Sequence, residues 1–229
     1  MKVCIIPARS GSKRIKNKNV KIFNGKPIIG IVLQNLKRMK FFDKIIVSTD
    51  HKKTIDLSKK YGADLVIGRK KKLFQDNVGT CEIISNAIKK VNSLKIFPSF
   101  IFCIYPTSVF VKKKHLVNAL KIAKKANCSF VFSGIKYPHP IQRAFNFKGN
   151  KLLFNASLYK KTQTQKLKIN YFDAGQFYLA KPNNWMKFDN IFNKNSRIVE
   201  IPSNECKDID NIEDWKLAEL IFKSTKNKN

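Results

Sequence analysis

This chain of 229 residues is poor in acid. It carries 15 Asp and Glu against 46 Lys and Arg, for a formal charge of +31. With 9 Gly and 8 Pro it has few of the residues that fill linkers and low-complexity tracts, and its apolar fraction of 43% suits a globular chain rather than a disordered one. No apolar run approaches the ~18 residues of a membrane span, so neither a spanning segment nor a membrane partner is expected. The N-terminus, Met1-Lys2-Val3-Cys4, runs straight into a strand pattern without a cleavage signal, and the expected compartment is the cytoplasm. The cysteines Cys4, Cys81, Cys103, Cys128 and Cys206 are scattered and form no C-x-x-C pair. They read as small buried hydrophobes in a reducing compartment, not as a zinc site or a disulfide framework. The P-loop, the Gly-x-Gly-x-x-Gly fingerprint and the Gly-x-Ser-x-Gly elbow are all missing. His51, His115 and His139 have no Cys or carboxylate at metal-ligand spacing and read as solvent-facing or structural, although His139 lies where it could touch a substrate.

The excess of cations fits an anionic partner. It also fits a genome rich in A and T, because Lys, Asn, Ile and Phe share A/T-rich codons. Most of the 46 cations then read as solvated surface. The informative ones follow the first apolar run, in Ile5-Ile6-Pro7-Ala8-Arg9-Ser10-Gly11-Ser12-Lys13-Arg14-Ile15-Lys16-Asn17-Lys18-Asn19. Ser10, Gly11 and Ser12 let the backbone turn tightly and expose N–H groups. Arg9, Lys13 and Lys18 supply the charge that a polyphosphate needs. An ordinary basic surface loop would look similar, but ligands of open α/β sheets sit beyond the carboxyl ends of strands, where this loop falls.

Short apolar strands alternate with amphipathic helices along the chain. Strands are expected at Val3–Ile6, Lys44–Thr49, Ala63–Ile67, Phe100–Ile104 and Ser129–Ser133. Helices are expected from Lys26-Pro27 through Leu36, over Thr54–Tyr61 (stopped by Gly62), Thr80–Val91 and Lys113–Ala126. This alternation implies βαβ units and a mostly parallel sheet. The pattern breaks after Ser133. Phe145–Phe147 and Leu152–Phe154 flank Gly149-Asn150 as a hairpin, and Thr162–Lys168 is polar and irregular. Parallel strands are expected to resume at Gln176–Ala180 and Arg197–Ile201, followed by a helix over Ile212–Phe222 capped by Asn211 and Asp214, and a frayed tail over Ser224–Asn229. The chain is thus read as one domain, 1–229, with residues 135–175 as an excursion. Phe145, Phe147, Leu152, Leu153 and Phe154 need a surface to cover, and a second copy of the chain provides one.

Lys207-Asp208-Ile209-Asp210 precedes the last helix. Two carboxylates at i and i+2 of an extended segment project to one side, which suits magnesium bound through carboxylates plus substrate phosphates. Helix capping is the plainer reading for Asp210 alone. For both residues, in a chain with so few acids, metal is favoured. Arg69, the stretch Asp76 to Thr80, and Tyr105-Pro106-Thr107-Ser108 lie at further strand ends, where loop solubility or, for Thr80, an N-cap would also account for them.

These segments together resemble the acylneuraminate cytidylyltransferase family. The residues that carry the resemblance are Ile6 to Lys13 with Lys18-Asn19, Val47-Ser48-Thr49-Asp50, Tyr61-Gly62-Ala63, Pro106-Thr107-Ser108, and Asp208-Ile209-Asp210 with Glu213-Asp214-Trp215. Within that family, Ile141-Gln142-Arg143-Ala144, Asp173-Ala174-Gly175-Gln176-Phe177-Tyr178 and Cys103-Ile104-Tyr105 are most similar to the pseudaminic acid enzymes. Sialic acid enzymes usually place Gln where Tyr105 stands and a second Pro where Val109 stands. The resemblance implies a Rossmann-like α/β fold with a small β-rich dimerisation arm, a homodimer, and magnesium-dependent in-line attack of a sugar acid's anomeric hydroxyl on the α-phosphate of CTP. By the same resemblance, Arg9 and Lys18 bind the triphosphate and steady the leaving pyrophosphate, with Lys13 in support and Ala8, Ser10, Gly11 and Ser12 in the nucleotide loop. Asn19 holds the ribose, Arg69 and Thr80 lie where cytosine is recognised, and Asp208 and Asp210 hold the metal, one of them helping to deprotonate the hydroxyl. Tyr105, Thr107, Gln142, Arg143, Tyr171 and Phe172 are implied for the sugar or the dimer arm. Other nine-carbon acids, legionaminic or neuraminic, remain alternative substrates. A basic nucleic-acid-binding protein is the competing class. It predicts salt-dependent binding to any duplex, but the chain shows no aromatic–basic stacking motif, and Asp208 and Asp210 would oppose phosphate.

Overall fold

The computed structural model describes residues 1–69, 73, 78–154, 159 and 161–226. Asp76 and the last three residues of the expected tail, 227–229, lie outside the described residues. The first strand, Lys2–Pro7 (β1), sits near the middle of a seven-stranded sheet. Two tiny strands, Ile22–Phe23 (β2) and Lys26–Pro27 (β3), pair with each other and lead into the helix Ile28–Arg38 (α1). Pro27 is therefore not in the first helical turn, as expected, but just before it. Its ψ of 133° is extended, and the Ile28 N–H donates back to Lys21 O at 3.0 Å.

The chain then runs through Lys44–Ser48 (β4), Lys52–Lys60 (α2), Leu65–Ile67 (β5), Thr80–Ser93 (α3), Phe100–Ile104 (β6), Lys113–Lys125 (α4) and Val131–Lys136 (β7). The excursion follows, and its hairpin is Phe145–Lys148 (β8) paired with Lys151–Phe154 (β9). The remaining elements are Tyr171–Ala180 (β10), Pro182–Lys187 (α5), Arg197–Glu200 (β11) and Ile212–Lys226 (α6). The strand order in the sheet is β11-β7-β10-β6-β1-β4-β5. Buried strands read as continuous apolar runs because both faces are covered. Along β1 the faces alternate: Cys4 and Ile6 join a core with α1, α4 and α6, while Val3 and Ile5 join a second core with α3 and α5.

Two expectations are corrected. β10 does not resume the parallel pattern. It is antiparallel to both β6 and β7, and it begins at Tyr171 rather than Gln176. No crossover helix separates β7 from β10, so the chain re-enters the sheet from the edge where it left and must run the other way. The last helix also continues through Lys226 rather than fraying at Ser224, with the Ser224 and Thr225 hydroxyls donating to the Ile221 and Phe222 carbonyls at 2.8 and 2.9 Å. Its start is a reciprocal cap, in which Asp214 N–H donates to Asn211 Oδ1 at 2.8 Å and Asn211 N–H donates to Asp214 Oδ2 at 3.2 Å. The short helix α5 has no counterpart in the sequence reading. Trp185 anchors it, fully buried, with Nε1 donating to Ile101 O.

Candidate active site

The loop after β1 folds back on itself. The Ala8 N–H donates to Ser48 O at 2.9 Å, which continues the β1–β4 pairing one residue beyond the strand. Gly11 then turns with φ +84°, a conformation that side-chain-bearing residues rarely adopt. Asn19, nearly buried, donates its amide to Arg9 O at 2.9 Å and closes the loop. Lys18 reaches across to the segment before α6 and donates to Ile209 O at 2.7 Å, with Asp210 Oδ1 3.9 Å away.

The segments that follow β1, β5 and β6, together with the one before α6, line a cavity of about 320 Å³. It lies at the switch in strand order between β1 and β6, where open α/β sheets bind ligands. Its lining combines two chemistries. Arg9, Lys13, Arg14 and Lys18 stand with Asp208 and Asp210, Arg14 pairing with Asp210, and Leu73, Val78 and Ile83 with Thr80, Tyr105 and Arg69 make a more apolar set. The first set fits phosphates and the second fits a flat heterocycle.

Burial shapes the charges. It lowers the Lys18 pKa from the ordinary lysine value, while Asp210 and Asp208 push it back up. Burial, with nearby Asp210 second, raises the Asp208 carboxyl above the usual Asp range, against the opposing Ile209 N–H and Lys18. Burial likewise brings the Arg69 guanidinium down to about 10, and one of its nitrogens donates to Ser48 O at 3.3 Å.

Of the residues expected from sequence, Arg9, Ser12, Lys13, Lys18, Asn19, Arg69, Thr80, Tyr105, Thr107, Asp208 and Asp210 share this one cavity. Ala8 is buried beneath it, and Ser10 and Gly11 border a small neighbouring recess with His51. The structure does not bring Gln142, Arg143, Tyr171 or Phe172 to the cavity. Gln142 and Arg143 donate to the Lys168 and Thr162 carbonyls within the excursion, Tyr171 donates to Glu200, and the Phe172 ring packs 4.9 Å from that of Tyr137.

Arg14 was missed. It pairs with Asp210 at 2.8 Å, and nothing but its place in the basic loop marks it in sequence. Also missed was Asp173, whose Oδ1 accepts the Gly175 N–H at 2.9 Å and whose Oδ2 accepts the Tyr178 hydroxyl. Thr80, read as a possible N-cap, instead hydrogen-bonds the Tyr105 hydroxyl at 2.8 Å, and Gly79 occupies the cap position.

Among the described residues no group of three or more His, Cys, Asp and Glu is placed to hold a metal. Magnesium needs fewer, since it usually takes one or two carboxylates and completes its shell with water and substrate phosphates. Asp208 and Asp210 fit that requirement. Both are oxygen donors lining the cavity beside its cations, and the Arg14–Asp210 pair is solvent-exposed, with side chains 67% and 42% accessible. Such a pair is weak enough for a divalent ion to displace.

Comparison with known proteins agrees with this geometry. A family model described as cytidylyltransferase matches residues 3–209. The pseudaminic acid cytidylyltransferase of Campylobacter jejuni subsp. jejuni serotype O:2 is 34% identical over 223 residues, covering 96% of each chain. The N-acylneuraminate cytidylyltransferase of Escherichia coli O18:K1:H7 is 26% identical over 229 residues, 99% of this chain and 53% of that protein. Among solved structures, a CMP:2-keto-3-deoxy-manno-octonic acid synthetase complexed with CTP superposes with a TM-score of 0.72 at 12% identity, covering 98% of this chain and 99% of that one. At that identity the likeness concerns the fold.

Proposed function

Because this chain belongs to the cytidylyltransferase family, we propose that it activates pseudaminic acid, converting CTP and the sugar acid to the CMP-sugar and pyrophosphate. The observation that carries the sugar assignment is the 34% identity to the Campylobacter jejuni pseudaminic acid enzyme over 96% of both chains, against 26% for the sialic acid and legionaminic acid relatives that match over a similar length of this chain.

The chemistry follows from the cavity. The anomeric oxygen forms a bond to the α-phosphorus while the bond to the pyrophosphate oxygen breaks. Negative charge therefore grows on the leaving group. Arg9, Lys13 and Lys18 line the cavity and would meet that charge; the Asn19 amide fixes the Arg9 backbone, and Lys18 is held by its hydrogen bond to Ile209 O. Asp208 and Asp210 would hold magnesium, which supplies charge neutralisation and a template for the phosphates. The apolar slot at Leu73, Val78 and Ile83 takes the base, with Arg69 and Thr80 as its polar contacts.

In this reading the segment between β7 and β10, residues 137–170, is an arm. Its hairpin leaves Phe145, Phe147, Leu152 and Leu153 between 44% and 72% exposed, an apolar surface that a second copy would cover. Gln142, Arg143, Tyr171 and Phe172 then serve the sugar acid or the dimer contact, and the enzyme works as a cytoplasmic homodimer. Among the described residues, no helix is long and apolar enough to cross a membrane.

The assignment is tested by pyrophosphate release with CTP, magnesium and a panel of nine-carbon sugar acids. Pseudaminic acid is expected to be turned over at least about tenfold more efficiently than the others, a margin within reach of differential pocket contacts. Equal turnover of N-acetylneuraminic acid would overturn it.

A further inference from the structure

Strand β10 is interrupted beside Asp208. Against β7 its register places Phe172 opposite Ile135 and Asp173 opposite Gly134, then resumes with Tyr178 opposite Phe132. Residues 174–177 therefore face Ser133 alone. A bulge of this kind leaves backbone groups without ladder partners, and here side chains take them. Ser133 Oγ accepts the Gln176 and Phe177 N–H groups at 3.1 and 3.2 Å. Asp173 Oδ1 accepts the Gly175 N–H at 2.9 Å. The Cys206 thiol donates to Ala174 O at 3.2 Å, and the Ser108 hydroxyl donates to Gly175 O at 3.1 Å. Ser108, Ser133 and Cys206 are buried.

The bulge meets Asp208 at Gly175. A Cβ built there would stand 3.3 Å from both Cγ and Oδ2 of Asp208 and 3.4 Å from Oδ1. A point nearly equidistant from these three atoms lies above the plane of the carboxylate, so Asp208 turns its face to Gly175 and its edge elsewhere. On that edge Oδ1 accepts the Ile209 N–H at 2.8 Å, and Oδ2 is the freer oxygen for an ion in the cavity that Asp208 lines. The Gly175 backbone thus sets the tilt of the carboxylate, and Ser108 holds that backbone from the far side of the peptide.

We propose that Ser108 is a positioning residue for the metal: by holding Gly175 O it seats the bulge against Asp208 and fixes the plane in which that carboxylate meets a divalent cation. Ser108 does not line the cavity, although Pro106 and Thr107 do. Removing its hydroxyl leaves Gly175 O a buried acceptor without this partner. The Ser108 N–H donates to Tyr105 O at 3.0 Å, a bond that an Ala variant keeps, so the turn carrying Thr107 stays in place. The proposal rests on the reading that Asp208 holds magnesium.

The test is manganese binding to the CTP-loaded chain, read by electron paramagnetic resonance, beside CTP affinity measured by calorimetry without metal. Ser108→Ala is expected to weaken manganese about tenfold, the low end of what support of a metal ligand contributes, and to leave metal-free CTP affinity within about twofold. In an Asp208→Asn background the same substitution should add no further loss, because it acts through that carboxylate. Ser108→Cys keeps a weaker donor and should lose about threefold; it carries the test should Ser108→Ala not fold. Unchanged manganese affinity in the folded variants overturns the proposal. So does an equal loss of metal-free CTP affinity, as a merely structural role would give, or a full further loss in the Asp208→Asn background. Failure of the underlying reading appears separately, as Asp208→Asn alone binding manganese like the wild-type chain, and the proposal then falls with it.

Discussion

Asp208 and Asp210 stand two residues apart, yet their surroundings differ. Asp208 is partly buried with its carboxyl raised, whereas Asp210 is half-exposed and paired with Arg14 and Lys18. Replacing Asp210 by Asn should therefore leave the melting temperature nearly unchanged while lowering magnesium-dependent turnover by roughly 100-fold or more. A full metal titration of the variant, read by pyrophosphate release, checks this, and unchanged activity would remove the metal assignment. Glu205 gives a prediction for stability alone. Hydrogen bonds from Lys114 first, then His115 and Lys112, hold its pKa at about 2 against the ordinary 4.5. A depressed carboxyl stabilises the fold above its unfolded pKa, and that stability is lost as pH falls from 4.5 through 2. Glu205→Gln should cost about 1 kcal/mol near neutral pH, after allowance for solvent screening, with the difference from wild type vanishing toward pH 2 in urea titrations. At this scale Asp208 and Asp210 were legible because acids are scarce in the chain. His115 was read as solvent-facing or structural; its contact with Glu205, 90 positions away, is made by the fold and leaves no trace in spacing. The same holds for Asp173, whose bond to Tyr178 spans a break in strand register.

That break is an element-scale feature. The pairing of β10 with β7 shifts between Asp173 and Tyr178, and Gly175 sits in the shift with φ +61°. A Cβ on Gly175 would stand 3.3 Å from the Asp208 carboxylate. Gly175→Ala should thus cost about 1–2 kcal/mol from the left-handed backbone alone and also push Asp208 from its place. The expected result is a loss of turnover larger than the loss of stability predicts, seen by comparing kcat/KM with the denaturation midpoint. The alternating helices and strands up to β7 were readable from periodicity, because each strand is an apolar run with both faces covered. The direction of β10 was not. Parallel and antiparallel buried strands have the same apolar composition, and direction depends on whether a crossover helix precedes the strand. The helix α5, at six residues, is too short to show a helical period, and Pro182 was its only signal.

For the whole molecule, the charge of +31 acts at long range on a polyanionic substrate. The CTP kcat/KM should fall several-fold between about 0.05 and 0.5 M salt as screening shortens the reach of the surface cations, while kcat at saturation changes little. Stopped-flow binding at graded ionic strength separates the two. The apolar hairpin predicts a dimer in sedimentation experiments and a monomer when Phe145 and Phe147 are both changed to Ser. The reversal of β10 has a further consequence. The chain leaves β7 and returns to β10 at the same edge of the sheet, and the Tyr137 N–H donates to Asn170 O at 2.9 Å across the gap. Everything between these two residues is a closed detour rooted at one point on the active edge. It is thus expected to act as an interchangeable cassette: a relative's segment of different length grafted at Tyr137 and Asn170 would leave β7 and β10 intact. Evolution of sugar preference in such a scaffold need not touch the nucleotide machinery at all.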